Sequence, residues 1–179
     1  EQDGYLWQSF EPICASADHA AIVHYSATKD SNVPVTENGL FLTDTGGGYL
    51  EGSTDITRTF AFGNVPQNMK EDFTSVLLCN LHLANVVFPY STTGGSLDVI
   101  GRLPLWKRGL DFNHGTGHGV GYLMNIHEEP ARFRRYLGNK APIQDIALEP
   151  GMIITDEPGV YIAGSHGIRT ENELMICEG

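Results

Sequence analysis

The alternation of hydrophobic and polar positions predicts short strands towards both ends of the chain. Residues 40–45 and 54–62 alternate with a period of two, which is typical of half-buried strands, and three consecutive glycines between them predict a hairpin. Residues 152–157 and 168–176 repeat this pattern around turn-forming glycines and a proline, and so predict a second hairpin. The apolar segment 20–24 predicts one further short strand.

The middle of the chain follows a helical period instead. Pro66 fits a helix start, and apolar side chains recur every three or four residues until Pro89 ends the helix. Ser96 is a candidate N-cap for a second helix that ends near Gly109, although Pro104 would bend it. The order is hairpin, helices, an irregular segment rich in histidine and glycine, and hairpin. This order predicts an α+β fold and not alternating βαβ units.

Composition restricts the classes of partner. The 179 residues carry a formal net charge of -11, which argues against a nucleic-acid partner. No apolar run approaches the ~18 residues of a membrane span, so no membrane partner is expected. The 3 cysteines are far apart and odd in number, so we expect no disulfide framework and a reducing, cytoplasmic location. The length fits a single domain that covers residues 1–179.

Acidic residues lie on both predicted hairpins. Asp44 shares a strand face with apolar residues and Asp55 lies on the partner strand, so the first hairpin would bring their carboxylates side by side. The second hairpin repeats the arrangement with Glu157 and Glu171. Taken singly, each acid fits a solvent-facing hairpin edge. Taken together, four half-buried carboxylates are costly unless cations compensate them, which favours a metal site.

The segment HGTGHGVGYLMNIHEEP, residues 114–130, supplies imidazoles between the two hairpins. Its glycines argue against a helical metal motif, and we interpret them as allowing close backbone approach and room for a substrate. Carboxylates with an imidazole suit manganese, cobalt, iron or zinc, and four acids are more than one such ion usually takes. Two ions about 3.5 Å apart, bridged by carboxylates and a hydroxide, would use them all.

The motifs HGTGHGVG, NIHEEP, TDEPGVY and GIRTENE together resemble the catalytic domain of aminopeptidase P (X-Pro aminopeptidase) of the cytosolic type. The resemblance implies the pita-bread fold, a curved antiparallel sheet with helices on its outer face. It also implies a pair of divalent ions as cofactors, most often manganese. Because the family's domain extends further on both sides, we expect this chain to be a part of that domain, truncated at both ends.

The same resemblance implies a set of metal ligands. By position, His118 and Glu157 hold one ion and Asp44 chelates the other. Asp55 and Glu171 bridge the pair. Glu157 is also the expected base that accepts the proton of the bridging water.

Further positions resemble the family's substrate-side residues. His127 is expected to contact the scissile carbonyl and to shuttle protons, while His24 and His114 shape the proline pocket and assist catalysis. From the residues alone, His24 also fits a strand histidine bonded to backbone. Arg169 and Tyr161 are expected at the substrate site, where Arg169 braces the carboxylates. A solvent salt bridge for Arg169 and a core position for Tyr161 stay open.

The implied activity is hydrolysis of the bond between an N-terminal residue and a following proline, with a peptide of that kind as partner. Two alternatives stay open. One is a prolidase or methionine aminopeptidase of the same fold. The other is a non-catalytic binding module, although such modules typically lose their metal ligands. A homodimer is also left open. His19, His82 and His166 match no motif and are expected at the surface or at caps.

Overall fold

The computed structural model describes residues 2–135 and 145–179. The strands are β1 (Tyr5–Gln8), β2 (Ile13–Ser16), β3 (Gly39–Thr45), β4 (Gly47–Tyr49), β5 (Ile56–Phe62), β6 (Gly117–Val120), β7 (His127–Phe133), β8 (Ile153–Asp156), β9 (Gly159–Ile162), β10 (His166–Arg169) and β11 (Asn172–Met175). The helices are α1 (Gln67–Ala84), α2 (Gly94–Leu97), α3 (Leu103–Trp106) and a 3₁₀-helix (Ala17–Ala21). Within the described ranges, no helix is both long and apolar enough to cross a membrane.

Two antiparallel sheets contain the predicted hairpins. In one sheet β3 lies between β2 and β5, and in the other the strand order is β11, β8, β6 and β7. The pairing of β3 with β5 confirms the first predicted hairpin and sets Asp44 opposite Thr57. The pairing of β8 with β11 confirms that the second pair of acid-bearing segments is adjacent, and it sets Asp156 opposite Asn172. The strand pairs β1–β4 and β9–β10 lie beside these sheets.

Helix α1 contributes to both main hydrophobic cores. Its buried positions recur at three- and four-residue spacing, so that one face of the helix is covered along its length. Val76 and Cys79 pack in the same core as Leu40 of β3. One turn further on, Leu83 packs in a second core with Phe133 of β7. The helix therefore holds the two sheets in a fixed relation to each other.

The predicted strand over residues 20–24 is wrong. Strand β2 lies earlier in the chain, and Ala17 directly after it takes a φ of 52°, where the chain turns into the 3₁₀-helix. Ala20 is buried in that helix. Gly167 of β10 packs directly on it, since a Cβ atom at Gly167 would overlap the Ala20 carbonyl oxygen. The apolar residues that predict a strand thus begin in a 3₁₀-helix, and Ala20 is buried because this helix packs against β10.

The helices also differ from the sequence prediction. α1 begins after Pro66 as predicted, but it ends at Ala84, before Pro89. Two short helices replace the single bent helix that the pattern predicts. Thr93 and not Ser96 caps α2, because the Thr93 side chain accepts a hydrogen bond from the Ser96 N–H.

The histidine- and glycine-rich segment contains a strand, where the sequence predicts an irregular region. β6 lies between β7 and β8. A Cβ atom at Gly117 would overlap the carbonyl oxygen of Thr155 in β8, and one at Gly119 would overlap that of Glu128 in β7. The close approach predicted from these glycines is therefore an approach between strands. By the alternation of a strand, His118 projects from the opposite face.

The segment 168–176 forms two strands, where the alternation predicts one. β10 ends at Arg169 and β11 begins at Asn172. At the break, the Glu171 N–H donates a hydrogen bond of 3.1 Å to the carbonyl oxygen of Thr57 in β5. This backbone bond joins the two sheets at the point where the acidic residues meet.

Candidate metal centre

The predicted acidic ligands all lie at strand ends that face one cleft. Asp44 lies near the end of β3, and Asp55 directly precedes β5. Glu157 directly follows β8, and Glu171 directly precedes β11. All of them line the same cleft of about 720 Å³, together with His118. The structure thus brings the predicted ligands together from the two hairpins and β6.

Burial and mutual repulsion shift the protonation of these acids. Burial, together with the neighbouring carboxylates of Glu171 and Asp44, raises the pKa of Asp55 to about 9. Burial also raises the pKa of Glu171 to about 7 and that of Glu157 well above its ordinary value. Among the described residues, the buried Oδ1 atom of Asp44 has no hydrogen-bond partner. Burying several carboxylates side by side costs free energy, and divalent cations would offset that cost, so this cluster of oxygen atoms fits a site for such cations.

His118 is oriented as a neutral metal ligand. Its Nδ1 lies 2.9 Å from the carbonyl oxygen of Gly119, to which only an N–H can donate. The proton is therefore on Nδ1, and the lone pair is on Nε2. Nε2 lies 3.3 Å from Glu157 Oε1 and 3.6 Å from Asp55 Oδ2. Burial lowers the pKa of His118 to about 4, so the ring is neutral at pH 7.

The ligand atoms are close enough for a shared ion. One ligand atom each from Asp55, His118 and Glu171 lies within 4.8 Å of the other two. Asp44 lies beside them, since its carboxylate raises the pKa of both Asp55 and Glu171. These residues would hold divalent metal through carboxylate oxygens and one imidazole nitrogen, a ligand set typical of manganese, cobalt, iron and zinc.

Arg169 connects the acids to the rest of the cleft. Its side chain is buried, which excludes the solvent salt bridge left open from the sequence. The guanidinium donates to Asp44 Oδ2 at 2.7 Å and to Thr57 Oγ1 at 3.1 Å. Thr57 in turn donates to Glu171 Oε2 at 2.6 Å. A third bond of 2.9 Å runs from Arg169 to the hydroxyl of Tyr161. Arg169 therefore fixes an acid from each hairpin, one directly and one through Thr57.

His114 has both ring nitrogens engaged. Nδ1 lies 2.7 Å from the Gly115 carbonyl oxygen and must donate to it, so Nε2 accepts from the Tyr161 hydroxyl at 2.8 Å. The hydroxyl accepts from Arg169, which fixes the direction of this chain of bonds. Burial lowers the pKa of His114 to about 4 and raises that of Tyr161 to about 12. Because its nitrogens are engaged, His114 can offer a substrate only its ring face.

His24 and His127 are exposed side chains that line the cleft. His24 follows the 3₁₀-helix and lies outside the strands, so the backbone-bonded strand position left open for it is wrong. His127 is the first residue of β7, and its ring centre lies 4.2 Å from that of His118 at an angle of 72°. Partial burial and the neighbouring His24 lower the pKa of His127. A neutral imidazole therefore lies beside that of His118 and open to solvent.

One histidine prediction is wrong. His166 is 1% exposed and its Nε2 lies 3.0 Å from Asp72 Oδ2 on α1. This contact holds β10 against α1, and His166 does not line the cleft. His82 is exposed, as expected, and His19 stacks on Tyr25 with ring centres 4.6 Å apart. Nothing in the sequence signals the pairing of His166 with Asp72, since the two residues are 94 positions apart.

The sequence also does not predict a buried ion pair next to the site, between Asp98 and Arg102. Asp98 and Arg102 are separated by four residues, a spacing that usually indicates a solvated helix surface. Both side chains are instead almost fully buried, and they contact the segment that carries His114. The four-residue spacing indicates that Asp98 and Arg102 can pair, but it does not predict that the pair is buried.

The fold and the acidic cleft define a candidate metallopeptidase of the pita-bread class. Residues 1–178 match the model of metallopeptidase family M24, and the chain belongs to this family. Probable Xaa-Pro aminopeptidase P of Talaromyces marneffei is 42% identical over 178 residues, which cover 99% of this chain and 26% of that protein. Aminopeptidase P1 of Lotus japonicus is 42% identical over 170 residues, or 95% of this chain and 25% of that protein. The chain thus spans about a quarter of the length of these relatives.

Solved structures agree with this assignment. An X-prolyl aminopeptidase from Caenorhabditis elegans, described as a cytosolic enzyme with a di-nuclear active site, has a TM-score of 0.86 and 40% identity. It is matched over 96% of this chain and 27% of its own. Prolidase from Pyrococcus furiosus has a TM-score of 0.82 and 31% identity over 96% of this chain and 48% of its own. The predicted pita-bread α+β fold and the resemblance to aminopeptidase P are confirmed.

The crowded acids predict a distinctive pH dependence once metal has been removed. Burial raises the pKa of Asp55 to about 9 and that of Asp156 to about 8, from 3.8. Between pH 7 and 9 the folded state then holds protons that the unfolded state has released, so the free energy of unfolding falls as pH rises. His114 and His118 are neutral in both states above pH 7 and do not oppose this trend.

The measurement is the melting temperature of the protein from pH 7 to 9, with a chelator in one series and excess manganese in the other. We expect a clear decrease with chelator and a flatter profile with manganese, because bound cations compensate the ionised acids. A chelator series without any decrease would contradict the repulsion between buried carboxylates.

Proposed function

We propose that the chain is the metal-binding part of an X-Pro aminopeptidase, a metalloexopeptidase that hydrolyses the bond between an N-terminal residue and a following proline. The observation that carries this proposal is that four acids line one cleft together with His118, whose unprotonated Nε2 faces two of them. The relatives from Talaromyces marneffei and Caenorhabditis elegans, a probable Xaa-Pro aminopeptidase P and an X-prolyl aminopeptidase, support it. The same solved structure supports a cytosolic location for this chain.

The proposed cofactors are two divalent ions, with manganese preferred over cobalt, zinc or iron. In this proposal, His118 and Glu157 would bind one ion and Asp44 would bind the other. Asp55 and Glu171 would bridge the two ions. The unpartnered Oδ1 of Asp44 and the raised pKa values of the acids support this set. Bound ions of this kind supply hydroxide at neutral pH and polarise the scissile carbonyl.

Glu157 and His127 have the proton-transfer roles in this proposal. Glu157 accepts the proton of the attacking water. Burial raises the pKa of Glu157 well above its ordinary value, and a more basic carboxylate takes up a proton more readily. His127 contacts the carbonyl oxygen and passes the proton that Glu157 has accepted from water to the departing proline nitrogen. Its exposure at the cleft and its closeness to His118 support this role. The ring nitrogen of proline, which is the leaving group, has to be protonated as it departs.

His24 and His114 form the proposed proline pocket. The ring nitrogens of His114 are engaged, so its ring packs on an apolar group, and a proline ring is such a group. The peptide nitrogen of proline has no N–H, and so it needs no acceptor in the pocket. A different residue would bury an unpaired N–H at a cost of about 1–3 kcal/mol, which corresponds to a roughly 10- to 100-fold preference for proline. Arg169 and Tyr161 hold His114 in this orientation.

Peptide hydrolysis by the intact protein with manganese tests this function. Arg-Pro-Pro should be cleaved after its first residue, whereas Arg-Ala-Pro and Met-Ala-Ser should react at least about 10-fold more slowly, because each buries an unpaired N–H. N-acetylated Arg-Pro-Pro should not react, since an exopeptidase requires the free amine.

Two outcomes would move the assignment within the family. Equal cleavage of Met-Ala-Ser would indicate a methionine aminopeptidase. Cleavage of the dipeptide Arg-Pro without cleavage of Arg-Pro-Pro would indicate a prolidase, which the similarity to Pyrococcus furiosus prolidase makes the second candidate. Turnover of the acetylated peptide would refute exopeptidase activity altogether, including the proposed X-Pro aminopeptidase.

His127→Ala separates proton transfer from metal binding. The variant should keep its metal content, since His127 is not among the proposed ligands, and should lose about 100-fold or more in kcat, the usual contribution of such a group. His82→Ala is the control, because His82 is an exposed histidine on α1 and does not line the cleft. Metal loss in parallel with activity would show that His127 is a ligand.

A further inference from the structure

A buried ion pair lies behind the segment that carries the cleft histidines. Arg102 Nε donates to Asp98 Oδ2 at 2.8 Å, and both side chains are almost inaccessible to solvent. The two residues flank the turn between α2 and α3. Removing two charges from water is costly, and an apolar pair of similar volume would often stabilise a fold equally well. The contacts that this pair makes beyond itself therefore indicate its role.

Arg102 forms hydrogen bonds with three residues of the segment 111–116. One terminal nitrogen of its guanidinium donates to the carbonyl oxygen of Phe112 at 2.7 Å and to Asp111 Oδ1 at 2.8 Å. The other donates to the carbonyl oxygen of His114 at 2.8 Å. The guanidinium carbon also lies 3.9 Å from the centre of the Phe112 ring. One planar side chain thus fixes the backbone on both sides of residue 113.

Asp98 continues this contact towards the acids. Its Oδ1 accepts a hydrogen bond from the hydroxyl of Thr116, which is fully buried. The Thr116 carbonyl oxygen accepts a hydrogen bond of 2.7 Å from the Glu157 N–H. The Thr116 N–H donates a hydrogen bond of 2.7 Å to the carbonyl oxygen of Phe133. Thr116 precedes His118 by two residues. Through Thr116, the ion pair is therefore connected to the backbone of Glu157 and to the strand that carries His118.

The segment needs such support because glycine alternates with its functional residues. Gly115 and Gly117 lie on either side of Thr116, and glycine loses more conformational freedom on ordering than any other residue. We propose that Asp98 and Arg102 are positioning residues of the cleft. They fix residues 111–116 and so determine how His114 and His118 face the acidic cluster. This inference rests on the proposed metal-dependent function for its readouts, and it adds residues that touch neither metal nor substrate.

Conservative substitutions at Thr116 and Arg102 in the intact protein test the inference. Thr116→Val keeps the shape of the side chain and removes its bond to Asp98, whereas Thr116→Ser keeps the hydroxyl. Arg102→Lys keeps the charge beside Asp98 but loses the fork that reaches the Phe112 and His114 carbonyls. Arg108→Lys is the matched control, because Arg108 pairs with Asp72 at 2.8 Å on α1 and does not contact residues 111–116.

Each protein is loaded with cobalt(II), and its visible absorption spectrum, cobalt affinity, kcat and KM for Arg-Pro-Pro are measured well below the melting temperature. We expect Thr116→Val and Arg102→Lys to change the cobalt spectrum and to lower kcat by about 10- to 100-fold with a smaller change in KM, as misplacement of reacting groups does. Thr116→Ser and Arg108→Lys should resemble the wild type.

Unchanged spectra and kcat in Thr116→Val and Arg102→Lys would overturn the inference, as would a lower melting temperature without a spectral change. If Arg102→Lys does not fold, the comparison of Thr116→Val with Thr116→Ser decides alone. A wild type that binds cobalt but does not cleave Arg-Pro-Pro would refute the proposed activity. The spectra would then still decide whether the ion pair positions the site.

Discussion

Carboxylates buried side by side repel one another, and the cleft between the two sheets gathers four of them. Asp55 and Glu171 are 6% and 1% exposed, so water cannot offset this repulsion. Arg169 compensates part of the charge through Asp44 and, by way of Thr57, through Glu171. Burial and the remaining negative charge together raise the pKa values of the other acids, so that protons or cations have to compensate them. The fold thus holds these side chains in an arrangement that a divalent metal would stabilise.

The imidazoles of the cleft differ in which ring nitrogen is available. The bond from His118 to Gly119 leaves Nε2 facing Glu157 and Asp55, as a metal ligand requires. His114 accepts a bond from Tyr161 at its Nε2 and has no nitrogen left for a substrate. His127 lies exposed beside them. His114 and His118 both donate from Nδ1 to a backbone carbonyl oxygen, so the partner of Nε2 distinguishes them: the Tyr161 hydroxyl for the proposed pocket residue and the acids for the proposed ligand.

The sequence predicted the parts of the site that depend on local alternation. Asp44 and Asp55 were placed together because a period of two and a glycine-rich connection define a hairpin, and β3 pairs with β5 as expected. The strand around His118 was missed because its glycines are unusual in strands until the neighbouring carbonyls are known. The pair Asp98–Arg102 was missed for a related reason. Its spacing is local, but its burial depends on contacts with residues 111–116.

In the proposed site the acids and His118 hold two divalent ions. Elemental analysis of the intact protein after dialysis, together with the His118→Ala variant, measures this metal content. We expect two tightly bound ions per chain in the wild type. We expect the loss of at least one in a folded His118→Ala protein, since Nε2 faces Glu157 and Asp55. A wild type with at most one tight ion, or a variant with undiminished metal content, would contradict the proposed two-ion site.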